Sequence, residues 1–213
     1  MKKSKPMLLL LCAVLLVSAA VLGTVAYLQD TDEIVNTFTV GKVHLKLDEA
    51  AVNERGEPLG GRTEDGNAYH LVPGQTYTKD PTVTVLRGSE RSYVRMLVTV
   101  NCYDELAAVF GEPFLLQYFV EGRDSTVWVS TEAIVKDEAA NTATYEFRYF
   151  EAVTPEKDAD LVLDALFDAI TVPSAMTGAQ LAAVADLKIT VEAHAIQAVG
   201  FVDADEAWAA FSK

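Results

Sequence analysis

Three histidines are the side chains of this 213-residue chain best suited to bind a catalytic zinc ion. They are His44, His70 and His194. A helical zinc protease site requires two histidines one turn apart with a glutamate beside the first, in the pattern H-E-x-x-H. None of the three histidines has that context, and an open zinc site needs three ligands that converge on one point. The sequence therefore predicts no catalytic metal and places the histidines on the surface.

Nucleophilic and nucleotide chemistry lack their usual motifs as well. The chain contains no G-x-S-x-G turn, and Cys102 has no histidine near it in the sequence. Gly60 and Gly61 lie in a polar stretch rather than between a strand and a helix, so they do not form a phosphate-binding loop. The sequence predicts a protein that is not an enzyme.

Two acidic clusters have a spacing that calcium could use. Asp30 and Asp32 lie near the amino end, and Asp203 and Asp205 lie near the carboxyl end. Calcium takes six to eight oxygen ligands from flexible loops, but neither cluster has the full ligand string of a dedicated calcium loop. Asp203 is also a typical helix-start residue. Two interpretations stay open, a calcium site and a solvated acidic surface, and we expect no other cofactor.

The amino end has the features of a secretory signal peptide. A basic stretch, Met1–Lys5, precedes an uncharged apolar run from Met7 to Leu22. Small residues follow at Thr24 and Ala26, which predicts cleavage between Ala26 and Tyr27. The apolar run is short for a membrane span, which needs roughly 20 residues. The prediction is export, and a retained membrane anchor is the alternative.

Size and charge restrict the mature chain further. Residues 27–213 form about one domain by length, and residues 1–26 are the predicted signal-peptide helix. Removal of Lys2, Lys3 and Lys5 reduces 17 basic residues to 14 against 31 acidic ones, so the net charge changes from -14 to about -17. Such a charge disfavours nucleic acid and anionic lipid as partners. Cys102 is the mature chain's only cysteine, so stability must come from a packed core.

Alternating apolar residues predict strands in three regions. This period of two is the pattern of a strand with one buried face. A phase change between Val40 and Val43 also predicts a bulge at Gly41–Lys42 in the first strand. The inward-facing residues are Val94, Met96, Val98 and Val100; Ile189, Val191, Ala193 and Ala195; and Tyr145, Phe147 and Tyr149.

Helices are predicted to be short and peripheral. Four segments have helical spacing, and Thr177 is a candidate N-cap. Asn53–Asn67 is predicted to be a polar loop. Many strands, few helices and one domain indicate an all-β protein, an antiparallel two-sheet sandwich. The predicted helical segments are Asp104–Phe110, Asp158–Ile170, Thr177–Leu187 and Asp203–Phe211.

Three segments resemble the TasA/camelysin family of exported bacterial proteins. The first is G-T-V-A-Y-L-x-D-T-D followed by N-T-F-T-V-G-K-V-H-L-K-L. The others are Val72–Val100 and Leu187–Phe201, the latter followed by the acidic and aromatic Glu206–Trp208. The resemblance implies a jelly-roll sandwich and cleavage by a SipW-type signal peptidase. Camelysin-type relatives are described as metallopeptidases, but this chain lacks a recognisable zinc motif.

The family resemblance also implies a structural function at the cell surface. Fibre-forming members are subunits of the biofilm matrix that assemble by strand exchange once the signal peptide is removed. The candidate donor strand begins at Thr37, and the alternative is that it pairs within its own sandwich. A second hypothesis is a monomeric secreted module that binds a cation, a carbohydrate or a protein. The apolar residues of the candidate donor strand are Phe38, Val40, Val43, Leu45 and Leu47.

Overall fold

The computed structural model describes residues 42–211, which form an antiparallel β protein with few, short helices. A 3₁₀ turn at Leu116–Tyr118 supplements the regular elements. The strands are β1 Leu45–Val52, β2 Pro58–Thr63, β3 Thr76–Thr78, β4 Thr82–Val85, β5 Ser92–Asn101, β6 Val120–Glu121, β7 Trp128–Asp137, β8 Thr142–Tyr149, β9 Leu161–Val162, β10 Ala169–Thr171 and β11 Ile189–Gln197. The helices are α1 Tyr103–Phe110, α2 Gly178–Ala183 and α3 Ala204–Ala210.

The strands of the described region form three antiparallel sheets. The largest has the order β11-β5-β8-β7, the second has the order β2-β1-β4-β9, and the third has the order β3-β10-β6. β1 pairs with β4 through Leu45–Val85 to Asp48–Thr82, and β2 folds back on its other side. Because β5 lies between β11 and β8, the centre of the largest sheet joins segments that are far apart in the sequence.

One hydrophobic core contains residues of all three sheets. Met96 and Val98 of β5 are fully buried, as are Val83 of β4 and Tyr77 of β3. The predicted alternation in β5 is therefore confirmed, since Val94, Met96, Val98 and Val100 all lie in this core. Ile189, Val191, Ala193 and Ala195 of β11 pack against it from the edge of the sheet.

Three of the predicted helices exist. The helix predicted at Asp104–Phe110 is α1, and the one predicted at Asp203–Phe211 is α3, whose N-cap is Asp203. Thr177 caps α2 as predicted and forms a capping box with Gln180. None of the helices in residues 42–211 is long and apolar enough to cross a membrane.

The helix predicted at Asp158–Ile170 is wrong. This segment contains β9 and the start of β10, and backbone amides in it bond to carbonyls in or next to β4. Leu163 N–H donates to the Val83 carbonyl, and Leu166 N–H donates to the Pro81 carbonyl. Leu163, Leu166 and Ile170 are buried, so their three- and four-residue spacing arises from an irregular extended segment that enters the core repeatedly.

The polar loop predicted at Asn53–Asn67 contains a strand. β2 lies within it and pairs with β1. The turn between them is held by the Asn53 side chain, whose Oδ1 accepts hydrogen bonds from the Arg55 and Glu57 amides at 2.9 and 3.0 Å. Almost all of β2 is exposed, so it has no apolar alternation from which a strand could be predicted.

Candidate functional site

β11 forms a regular edge of the largest sheet. It pairs with β5 without a break from Ile189–Val100 to Gln197–Ser92. Within residues 42–211, no other strand pairs with its second side. Such an edge offers a row of backbone donors and acceptors to an added strand. Its side chains alternate between the core, as at Val191, and solvent, as at Thr190 and Glu192.

A cleft of about 1130 Å³ opens between β11 and β1. β11 contributes Ile189–Val191, and β1 contributes Leu47. The remaining walls come from the loop around Tyr69 and from α2 with the residues after it, including Leu181 and Val184. Its volume is slightly above the roughly 300–1,000 Å³ of typical small-ligand pockets. The cleft therefore combines an open strand edge with walls that contain both apolar and charged residues.

A buried ion pair lies on the β1 side of the cleft. Lys79 Nζ donates to Glu49 Oε2 at 2.6 Å, and both side chains are less than a tenth exposed. Asn67 Nδ2 donates to the other Glu49 oxygen at 2.8 Å. Burial of Tyr69, together with the Glu49 charge nearby, raises the pKa of its phenol. Removing one partner of such a pair leaves an uncompensated buried charge, so the wall of the cleft depends on both.

A second charged group fastens β2 to β1 beside the cleft. Arg62 Nε donates to Asp48 Oδ1 at 2.5 Å, and its Nη1 donates to Asp80 Oδ2 at 2.8 Å. Lys46 pairs with the other Asp48 oxygen at 2.9 Å. Burial opposes ionisation of Asp48, but the hydrogen bonds from Arg62 and Lys46 outweigh it and hold the pKa of Asp48 below its usual range.

The opposite edge of the same sheet, β7, is irregular. Its pairing with β8 shifts between Ser130 and Ile134, and Glu132 within the shift has a φ of 60°. A bulge of this kind bends an edge strand and interrupts its row of backbone groups. β7 is therefore a poorer template for an added strand than β11.

The three histidines do not converge within the described region. His44 precedes β1 and is exposed, as is His70 in the loop before β3. His194 lies on β11, where its Nδ1 accepts a hydrogen bond from Arg95 Nε at 3.3 Å. No group of three or more histidine, cysteine, aspartate or glutamate residues in positions 42–211 is arranged to hold a metal ion.

The carboxyl-terminal acidic cluster has structural roles. Asp203 accepts a hydrogen bond from the Glu206 amide at 2.9 Å and so caps α3. Asp205 forms an ion pair with Arg148 of β8. Both aspartates of this cluster therefore have protein partners. Asp30 and Asp32 lie outside the described residues.

The candidate donor strand is only partly described. Thr37, Phe38 and Val40 lie outside the described residues, as do the cleavage site Ala26–Tyr27 and the glycine of the predicted bulge. Val43 is half-buried and precedes β1. Leu45 and Leu47 belong to β1, pair with Val85 and Val83 of β4, and pack on the core. This end of the segment is thus engaged within its own sheet.

Cys102 lies between β5 and α1 as the N-cap of the helix, in a left-handed conformation with a φ of 53°. Burial, with the nearby charges of Glu105 and Asp186, raises the pKa of its thiol. The thiol is therefore protonated at neutral pH and a weak nucleophile.

The buried pair Glu49–Lys79 was not predicted from the sequence. Its partners are 30 positions apart in a chain rich in acidic residues, so spacing gave no signal. The one available hint is that Glu49 continues the alternating phase of Leu45 and Leu47, which pack on the core.

In comparisons with known proteins, no family model matches the chain, and no curated protein or solved structure is significantly similar to it.

Proposed function

We propose that the protein is an exported structural protein of the cell surface or extracellular matrix that assembles by strand exchange. Its fold would be a jelly-roll-like sandwich, and a SipW-type signal peptidase would cut it between Ala26 and Tyr27. The segment freed by cleavage would then add to the sheet of another copy. Support comes from the amino-terminal motifs of the sequence and from the regular, open edge of β11.

The edge of β11 is the observation that carries this proposal. An extended segment that adds to an edge gains main-chain hydrogen bonds, and pockets for alternate side chains give specificity. The edge borders the cleft, whose walls include Leu47 and Leu181. Alternating apolar residues of an added strand, such as Phe38 and Val40, would find apolar contacts there.

Because β1 is paired with β4, we limit the proposed donor segment to the residues before Leu45. Leu45 to Asp48 pair with β4, so using them as a donor would break four cross-strand pairs and expose core residues. Of the described residues before His44, Lys42 is held by a longer hydrogen bond, in which its carbonyl accepts from the Glu90 amide at 3.4 Å. The proposed donor is therefore Thr37–Val43 with its polar lead.

Electron microscopy of the mature chain, residues 27–213, tests the proposal. We expect fibres or strand-linked oligomers, and we expect a free peptide of residues 29–43 to reduce them. The matched control is the same peptide with Phe38 and Val40 replaced by aspartate, which should not compete. Undiminished assembly in the presence of the unmodified peptide would exclude this segment as the donor.

A monomeric binding module is the second candidate, and the cleft beside Glu49 and Lys79 is the observation that favours it. Its occupant would then be a separate peptide or polar ligand rather than another copy of the chain. A uniform monomer after cleavage, at every concentration tested, would favour this function over assembly.

A further inference from the structure

The carboxyl-terminal helix crosses the outer face of the largest sheet at one row of cross-strand neighbours. His194 of β11 lies opposite Arg95 of β5, and Arg95 lies opposite Arg148 of β8. The helix meets this row with residues three positions apart, which lie on one face of a helix. These contact residues are Asp205, Trp208 and Phe211, and we refer to α3 together with Phe211 as the strap.

Each strand of the row has its own contact with the strap. On β11, the ring of Phe211 stacks on His194 with centroids 5.1 Å apart. On β5, the guanidinium carbon of Arg95 lies 4.3 Å from the centre of the Trp208 ring and 4.9 Å from that of Phe211. On β8, Arg148 pairs with Asp205. The strap therefore contacts the edge strand β11 and the next two strands of the sheet, β5 and β8.

Arg95 is the centre of these contacts. It is 9% exposed, although it lies on the face of β5 opposite to the core residue Met96. Besides the two aromatic rings, it contacts His194 through Nε and Glu146 through Nη1, the latter at 3.5 Å. A desolvated cation between aromatic faces is attracted to both rings, so this contact is stronger than an exposed one.

The strap acts mainly on β11, because β11 is the element that directly precedes α3 in the chain. β11 leads through a short connection to α3, whose start is fixed by the Asp203 cap and by a hydrogen bond from the Val202 amide to Glu206 Oε2 at 2.7 Å. The helix thus folds back on the strand that precedes it. An edge strand bonded on one side only opens locally at lower free energy than an inner strand, unless side-chain contacts hold it.

We propose that the strap holds β11 in the sheet and keeps its open edge straight and ordered enough to receive another strand. The first part concerns this chain alone. The consequence for assembly rests on the proposed function, because only there is β11 the acceptor.

Hydrogen exchange of the mature protein, read by mass spectrometry, tests the strap with a Trp208→Ala variant. We expect β11 amides to exchange about tenfold faster, because the cation–π contact and its packing are lost. The hairpin of β7 and β8 should exchange at the wild-type rate, which shows that the rest of the sheet is folded. Arg95→Lys keeps the charge but loses the planar group, and an intermediate increase is expected.

The matched control is Phe150→Ala, which removes an aromatic ring from the same sheet outside the strap. Phe150 is 54% exposed at the end of β8, and its amide bond to the Val127 carbonyl does not involve the side chain. This control should leave β11 exchange unchanged. Unchanged β11 exchange in Trp208→Ala would overturn the strap, whatever happens to assembly.

Electron microscopy of the same variants separates the strap from the proposed function. Faster β11 exchange together with fewer fibres supports both. Faster β11 exchange with fibres at the wild-type level supports the strap and overturns β11 as the acceptor edge. Fewer fibres without a change in β11 exchange would overturn the strap as the cause.

Discussion

The two edges of the largest sheet, β11 and β7, are built in opposite ways. β11 is regular along its whole length and borders a cleft, and the strap packs on the face of the sheet opposite to the core. β7 is interrupted by a bulge at Glu132, and Val129 and Val135 are 46% and 68% exposed. Edge strands are usually protected by bulges and charges against unwanted pairing. The fold protects β7 in this way and leaves β11 regular, and this difference is the reason for proposing β11 as the acceptor edge.

The ion pairs beside the two edges differ in how deeply they are buried. Glu49–Lys79 near β11 is buried, with side chains 7% and 8% exposed. Glu112–Lys136 at β7 has side chains 60% and 38% exposed. A buried pair is costly to break, whereas an exposed pair contributes little because water and salt screen it. Removing one partner of the ion pair near β11 should therefore reduce the stability of the protein far more than removing one partner of the pair at β7.

The largest effect is expected from Glu49→Ala. It should lower the free energy of unfolding by about 3–5 kcal/mol, because Lys79 is left buried without its partner. Urea denaturation followed by circular dichroism measures this. Glu112→Ala is the control and should lower the urea midpoint much less, because it removes an exposed ion pair and one hydrogen bond from the Tyr103 hydroxyl. Equal losses of stability in the two variants would contradict the expected difference between the buried and the exposed ion pair.

Replacing both partners of the buried pair separates the penalty of an orphaned charge from the contribution of the pair. Glu49→Leu combined with Lys79→Met should recover most of the stability lost in Glu49→Ala, because no buried charge remains. A double variant that is as unstable as the single one would show that the pair itself stabilises the cleft wall.

An intermediate effect is expected from a carboxylate on the β11 edge. Val191→Asp places a charge on the half-buried face that packs on the core, and it should cost about 1–3 kcal/mol. Val135→Asp on β7 is the matched control, because its side chain is 68% exposed, and it should be nearly neutral. Thermal unfolding of both variants tests the difference. A neutral Val191→Asp would mean that β11 does not contribute to the core.

The smallest effect is expected in the pH dependence of stability, through Asp48. The pKa of Asp48 in the folded protein is lower than in an unfolded chain, so its ion pairs stabilise the fold above its ordinary pKa. That contribution is lost as the pH falls through the lowered folded pKa. Asp48→Asn should therefore be less stable at neutral pH, and its stability should fall less as the pH drops below the ordinary carboxyl pKa. Parallel pH profiles of the two proteins would show this.

Local patterns in the sequence predicted the central strands and the helix caps. The alternation in β5 was sufficient because each buried residue faces one core. Thr177 and Asp203 were predictable because a cap depends only on the next three residues. The helix predicted at Asp158–Ile170 failed because the bonds that fix this segment come from distant carbonyls such as that of Val83.

The alternation of β11 could be predicted, but the side-chain contacts around this edge could not, because they depend on the register between strands. Arg95, His194 and Arg148 form a row only through the pairing of three strands, and single-sequence periodicity does not determine which strands are neighbours. Likewise, β2 is exposed along almost its whole length, so neither its existence nor the position of Arg62 beside Asp48 could be predicted.

The two tryptophans of the chain act as separate optical reporters. Trp128 is fully buried and donates its indole hydrogen to the Asp164 carbonyl at 2.9 Å. Trp208 is 6% exposed, and its indole nitrogen has no hydrogen-bond partner within the described structure. Release of the strap would move Trp208 alone into water, so the emission spectrum would shift partway to the red before the cooperative transition. Loss of the core would then shift the emission of Trp128, and one fluorescence measurement would time the two events independently.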